Sequence, residues 1–146
     1  MLFLIFIFNS SFFNFNENYV LYFYDKKNNK TLSFDVKEND IFMIKYRHSV
    51  ALTPVIEFYK IINGKIVLYE FHFYDQCAGL PTEPCGDEKL ILEDGVFKLK
   101  NINRNFEKIY YGVYKNGEFK LIINNKIIDL SEKFGNSFIN IEIRRN

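Results

Sequence analysis

The 146-residue chain has no tryptophan, three prolines, seven glycines and two cysteines, and what it lacks narrows the field before any motif is read. No internal repeat, linker or low-complexity tract divides it, so a single core is the simplest organisation at this length. Charge of one sign is missing too: 19 Lys and Arg face 18 Asp and Glu, with no block of like charge. A nucleic-acid footprint needs a basic stripe or face, and none is present. No apolar run approaches the roughly 20 residues of a membrane-spanning helix. Phosphate loops, nucleophile elbows and dinucleotide fingerprints are absent as well.

What is abundant is aromatic surface. Seventeen Phe and ten Tyr contribute to an aromatic share of 18% and a hydrophobic share of 48%, far more buriable area than a disordered segment carries. Helical periodicity is nearly absent, and short β-branched and aromatic runs recur between turn signals, which predicts an all-β antiparallel sandwich or partly open barrel with at most one short helix. Strands are expected near Tyr19–Tyr24, Thr31–Val36, Ile41–Val50, Val55–Ile62, Lys65–Tyr74, Val96–Leu99, Lys108–Tyr114, Phe119–Ile123, Lys126–Asp129 and Phe138–Arg144. Asn63-Gly64 and Asn116-Gly117 each separate two of these runs. Asn-Gly tolerates the positive φ of a type I′ turn, so two hairpins are predicted, Val55–Ile62 with Lys65–Tyr74 and Lys108–Tyr114 with Phe119–Ile123. Further tight turns are expected at Asp25 to Asn29, Glu93-Asp94-Gly95 and Asn124-Asn125. The segment Gln76 to Lys89 breaks the rhythm with Gly79, Pro81, Pro84 and Gly86, and irregular loops of this kind often carry function.

The opening eight residues, Met1 to Phe8, are all apolar and precede Asn9-Ser10-Ser11. Their length suits the core of a secretory signal, although a basic flank and a small-residue cleavage site are missing. The expectation is a degenerate or trimmed export signal over residues 1–11 and one β-domain over 12–146, with a buried first strand as the alternative.

In the third expected strand Phe42, Ile44, Tyr46 and His48 share a face, because side chains alternate with period two. In the fourth, Glu57 interrupts a face of Val55, Tyr59 and Ile61. A buried carboxylate needs a partner or a proton. If Val50 to Pro54 turns the chain tightly, Glu57 lands opposite Arg47 or His48. That pairing reads in three ways: a structural ion pair, the polar floor of a ligand pocket built from Arg47, His48, Ser49, Thr53 and Glu57, or a catalytic pair with His48 as general base.

Cys77 and Cys85 bracket a nine-residue loop. In an exported protein an even cysteine count predicts a disulfide, worth about 2.5 kcal/mol by chain entropy. The alternatives are two free thiols or a metal site with His72 and Asp75, whose spacing matches no zinc pattern of recurring Cys-x-x-Cys knuckles. His72 with Glu70 and Tyr74 forms a polar strand face, expected to be solvated.

The run Arg47-His48-Ser49-Val50-Ala51-Leu52-Thr53-Pro54-Val55-Ile56-Glu57, then Cys77-Ala78-Gly79-Leu80-Pro81 and Asp94-Gly95-Val96-Phe97, resembles the family called domain of unknown function 1850. Its pattern is a His-Ser-Val, a Thr-Pro-Val with a Glu soon after, a Gly-Ala-Gly-Leu-Pro and an Asp-Gly-aromatic turn. Two positions depart from it: Ala51 stands where an acidic residue commonly follows His-Ser-Val, and Cys77 replaces the first glycine of the third motif. The resemblance implies a small exported or membrane-tethered protein encoded beside tripartite transporters of the TAXI type, with no known activity. The expected role is therefore non-enzymatic: an extracytoplasmic accessory domain that binds a small anionic solute through Arg47 and His48 or docks on a transporter subunit. The motif loops, including Gly79, Leu80 and Pro81, would form its surface, and no cofactor is expected. The rivals are a small hydrolase-like enzyme using His48 and Glu57, and a purely structural or interaction module.

Overall fold

The computed structural model describes residues 18–145 apart from 78 and 82; the apolar run read as an export signal or first strand lies outside them. The strands are β1 (Asn18–Asp25), β2 (Lys30–Lys37), β3 (Ile41–Arg47), β4 (Pro54–Ile62), β5 (Lys65–Phe73), β6 (Lys89–Glu93), β7 (Val96–Phe106), β8 (Lys108–Val113), β9 (Lys120–Ile123), β10 (Lys126–Asp129) and β11 (Ser137–Arg145). A 3-10 turn (Lys115–Gly117) precedes β9, and one short helix, α1 (Leu130–Phe134), precedes β11. The Asp129 carboxylate caps α1 by accepting from the Glu132 amide at 2.8 Å, which satisfies one of the donors every helix start leaves free.

All pairings are antiparallel, in two sheets ordered β2-β1-β11-β8 and β10-β9-β3-β4-β5-β7-β6. They face each other as a sandwich and do not close into a barrel. The turns follow their chemistry. In three hairpins the two connecting residues both have positive φ: Asn63-Gly64 (51° and 68°), Asp94-Gly95 (53° and 75°) and Asn124-Asn125 (49° and 60°). These are the conformations a type I′ turn requires, and Asn, Asp and Gly reach them at least cost.

The second Asn-Gly behaves otherwise, and the hairpin expected between Lys108–Tyr114 and Phe119–Ile123 does not form. Strand β8 pairs with β11 in the smaller sheet, whereas β9 pairs with β3 and β10 in the larger one. The chain crosses between sheets through the 3-10 turn, and the left-handed residue is Glu118 (φ 52°) rather than Asn116 or Gly117. Buried Ser131 holds the crossing: its hydroxyl donates to the Tyr114 carbonyl at 2.9 Å and accepts from the Phe119 amide at 2.9 Å. A side chain fifteen or so positions downstream thus overrides a local turn preference.

Two further differences have local causes. Strand β6 goes unforeseen because Lys89–Glu93 is a short edge strand whose apolar residues run consecutively instead of alternating. A bulge at Tyr69 shifts the register on both sides of β5, so that Phe58 pairs with Glu70 while Tyr59 pairs with Leu68. The extra residue lets Ile66 and Leu68 share the core face with Phe71 and Phe73, which strict alternation would forbid.

The core between the sheets joins Tyr19, Leu21, Phe23, Ile139 and Ile141 of one sheet to Phe42, Ile44, Val55, Tyr59, Ile61, Phe73 and Leu121 of the other. Phe23 meets Phe42 edge-on at 6.1 Å and Phe42 stacks on Tyr59 at 5.0 Å. Burying a Phe side chain stabilises by about 1.5–3 kcal/mol. Among the described residues no helix is long and apolar enough to cross a membrane, and no cluster of three metal-ligating side chains exists.

Candidate functional site

At one end of the sandwich the sheets part into an open cleft of about 650 Å³. Its walls come from the end of β3 (Tyr46, Arg47) and the loop residue His48 after it, from β8 (Tyr110, Tyr111, Gly112) and from the sheet crossing (Tyr114, Asn116, Gly117, Phe119). Glu57 of β4 forms the floor. Leu52, Ser49 and Phe138 stand at the mouth, where Leu52, Tyr110, Tyr114 and Phe138 are all exposed.

Glu57 shares the inner face of β4 with Val55, Tyr59 and Ile61 as the alternation predicts, but its partners are not the expected ones. The β3–β4 ladder sets Glu57 opposite Ile44 and Arg47 opposite Pro54. The connecting loop, His48–Thr53, is longer than the tight turn assumed for Val50 to Pro54. It is closed by His48 N–H donating to Thr53 O at 2.9 Å and Leu52 N–H to His48 O at 2.9 Å, with Leu52 at φ 56°. The longer loop slides the carboxylate away from Arg47 and His48, and no Glu57 pairing with either forms.

Three phenols take their place. Glu57 Oε2 accepts from Tyr59 at 2.7 Å and from Tyr111 at 2.9 Å, and Oε1 accepts from Tyr46 at 3.4 Å. Among the described residues no Lys, Arg or His lies within ion-pair reach of this carboxylate. Burial pushes the Glu57 carboxyl above its ordinary pKa, and the hydrogen bonds from Tyr59, Tyr111 and Tyr46 pull the other way. Burial, followed by the Glu57 charge, raises the pKa of Tyr46, Tyr59 and Tyr111. All three therefore remain phenols and donors. Glu57 keeps some accessible area only because the cleft opens on it.

The aromatic walls brace one another. Tyr46 stacks on Phe119 at 5.1 Å, while Tyr111 meets Phe119 edge-on at 5.8 Å and Tyr46 at 6.2 Å. Gly117 is required for this arrangement, since a Cβ there would sit 2.2 Å from the Phe119 ring.

Of the other anticipated residues, Arg47, His48 and Ser49 line the cleft, whereas Thr53, Gly79, Leu80 and Pro81 do not. Arg47 is already engaged: Nη2 donates to the Asn116 carbonyl at 3.0 Å, and Nε lies 3.5 Å from Glu118. His48 Nδ1 accepts from the amides of Ala51 at 3.1 Å and Val50 at 3.4 Å, so its ring proton sits on Nε2. Thr53 Oγ1 is enclosed without a hydrogen-bond partner among the described residues. Leu80 turns into the core, and Gly79 passes beside His48.

The expected Cys77–Cys85 bridge is not formed. Both are free thiols, Cys77 half-buried with its Sγ 3.4 Å from His48 Nδ1 and Cys85 exposed. The turn that carries Leu80 into the core, with its amide bonded to the Cys77 carbonyl at 3.1 Å, holds Cys77 inward. His72 is paired and not merely solvated: its Nε2 lies 2.6 Å from Glu70 Oε1, and its ring packs on Phe58 at 4.5 Å.

Sequence reasoning missed Tyr46, Tyr111, Tyr114, Phe119 and Phe138 as site residues. One signal was available, namely that Tyr46 extends the face of Phe42 and Ile44 toward His48. The others arrive from sequence-distant segments.

No curated protein and no solved structure matches the chain. A family model does, over residues 42–130, and this stretch contains the His-Ser-Val loop, Glu57, the Gly79-Leu80-Pro81 turn, Tyr111 and Phe119. The chain belongs to the family described as domain of unknown function, DUF1850.

Proposed function

We propose that this domain binds a small solute, without chemistry, in the cleft between its sheets, and that it serves outside the cytoplasm as the accessory protein of a TAXI-type tripartite transporter. The observation that carries the binding reading is the cleft itself. A volume of about 650 Å³ that combines aromatic walls with a set of convergent polar side chains matches the usual form of a small-molecule site. The catalytic rival loses its pair, because Glu57 is bonded to tyrosines and His48 to the Val50 and Ala51 amides. The extracytoplasmic setting and the transporter rest on the family resemblance and on the apolar Met1–Phe8 run.

Ring-proton NMR of the folded domain against a library of small organic acids, amines and neutral compounds tests the binding reading. Selective shifts of Tyr46, Tyr111 and Phe119 support it, and silence across all three classes removes it. Fusing alkaline phosphatase to the full chain tests the location: activity in cells is expected, and an inactive, intact fusion overturns the export assignment.

One feature favours docking as a second role. Tyr110 and Phe138 stand exposed side by side at the rim of the cleft, on the paired strands β8 and β11, where Phe138 pairs with Gly112 and Tyr110 with Asn140. Monomeric surfaces seldom group large exposed aromatics without a use. Co-purification with the neighbouring transporter subunits should be lost in a Tyr110→Ser, Phe138→Ser double variant; co-purification that survives the change removes this role.

A further inference from the structure

The floor of the cleft carries an acceptor that the protein itself leaves underused. An ionised carboxylate offers about four acceptor positions. Oε2 of Glu57 takes two short bonds, from Tyr59 and Tyr111, while Oε1 takes one long bond, from Tyr46 at 3.4 Å. Tyr46, Tyr111 and Glu57 all line the cleft, whereas Tyr59 lies in the core. The carboxylate is thus reached from the cleft, and Oε1, with its single long bond, is its less satisfied oxygen. Among the described residues no cation stands within ion-pair reach to balance the charge, a costly arrangement for a desolvated acid.

The surroundings complement positive charge. Tyr46, Tyr111 and Phe119 line the same cleft around Glu57, and aromatic faces attract cations most strongly where water is excluded. Arg47, the anticipated anion receptor, donates to the Asn116 carbonyl through Nη2 and lies beside Glu118 through Nε. An anion entering the cleft would meet Glu57 with no free cation beneath it.

We infer that the solute is an organic cation, a primary alkylammonium whose N–H groups reach Glu57 Oε1 while its carbon chain lies among the aromatic rings. This replaces the anion expected from the sequence and rests on the solute-binding reading above. Quaternary ammonium would fit less well, since it has no hydrogen to donate to Oε1. The groups facing Glu57 are the phenols of Tyr46, Tyr59 and Tyr111, with Arg47, His48, Tyr110 and Tyr114 on the cleft walls.

The test is calorimetric titration and ring-proton NMR of the full chain with butylammonium, butyrate and butanol. Butylammonium should bind at least tenfold more tightly than either isostere, and Glu57→Gln, checked for folding by circular dichroism, should lose at least tenfold of that affinity. In the unsubstituted protein, affinity for butylammonium should rise with pH as Glu57 ionises, with proton uptake by the buffer. The slope should vanish in Glu57→Gln and survive in His48→Asn; the second variant decides the matter if the first does not fold. A slope absent from the unsubstituted protein, or lost with His48 instead of Glu57, overturns the cation assignment. Butyrate or butanol shifting the Tyr46 and Phe119 signals as strongly as butylammonium overturns it too, while leaving the solute cleft standing. If none of the three probes shifts those signals, the cleft reading and the cation fall together.

Discussion

Glu57 faces Ile44 across the β3–β4 ladder, three rungs from the Arg47–Pro54 pair that ends it. That register is the origin of the site. It removes the carboxylate from Arg47 and His48 and delivers it to Tyr59 on its own strand, Tyr46 on the neighbouring strand and Tyr111 from the opposite sheet. A buried acid held by three neutral donors differs chemically from an ion pair, because its proton and any bound cation compete for the same oxygen.

The pH dependence of stability should carry the Glu57 signature. Its folded-state pKa lies above the ordinary carboxyl value, so the contribution is fully present below the unfolded pKa of about 4.3 and is lost as pH rises through the folded value. Urea denaturation of the unsubstituted protein and Glu57→Gln at intervals from pH 4 to 8 should show the former losing ground to the latter as pH rises. A difference that stays flat, or grows in favour of Glu57, would show that the carboxyl is not desolvated.

Replacing Tyr59 by Phe removes the shortest of the three bonds to Glu57 and should destabilise by about 1–2 kcal/mol. Arg47→Ala, at a half-exposed ion pair, should cost about 0.5 kcal/mol. The Tyr59→Phe, Glu57→Gln double variant should cost less than the sum of its parts, since both changes break one network. Equal effects of Tyr59→Phe and Arg47→Ala in chemical denaturation would place the stabilising contact at the rim instead.

Asp25 should produce the opposite pH behaviour. Its carboxylate accepts from Ser137, from the Asn28 side chain and from the amides of Lys27 and Asn28. The Ser137 and Asn28 side-chain bonds are the main reasons its pKa is lowered to about 2. A lowered folded pKa gives stability that is present above the unfolded value of about 3.9 and lost as pH falls through the folded one. Acid unfolding between about pH 4 and 2 should therefore be steeper in the unsubstituted protein than in Asp25→Asn; superimposable acid limbs would exclude Asp25 as a source.

Gly117→Ala inserts a methyl group at 2.2 Å from the Phe119 ring, which must swing away from Tyr46 and Tyr111. Overpacking of this kind costs about 1–3 kcal/mol. Thermal unfolding should report the loss, and the ring-proton shifts of Tyr46 and Tyr111 should change with it. A variant with unchanged shifts would mean that Phe119 adapts without disturbing the cleft wall.

The two thiols should differ in reactivity. Cys85 is exposed and Cys77 is half-buried against His48, so a thiol-specific chromogenic reagent should modify two groups, Cys85 first and Cys77 several-fold more slowly. A single fast phase for both would show that the Cys77–Leu80 turn opens freely. No reaction in protein isolated from an oxidising compartment would restore the disulfide.

The sequence by itself determined whatever depends on neighbours along the chain. Asn63-Gly64, Asp94-Gly95 and Asn124-Asn125 could be read as turns because their φ preferences are intrinsic to those residue types. Glu57 could be placed on the core face because period-two alternation is a property of any strand, and the motifs spread from Arg47 to Phe97 identified the family. Tertiary structure alone decided what those residues meet. Register depended on a loop held by His48 and Thr53 and by Leu52 at positive φ, a conformation no residue preference announces. The partition of β8 and β9 between sheets depended on Ser131, and the third donor to Glu57, Tyr111, comes from 54 positions away. Backbone preferences act over a few residues, whereas the cleft and its unbalanced carboxylate exist only where two sheets, each legible on its own, are laid face to face.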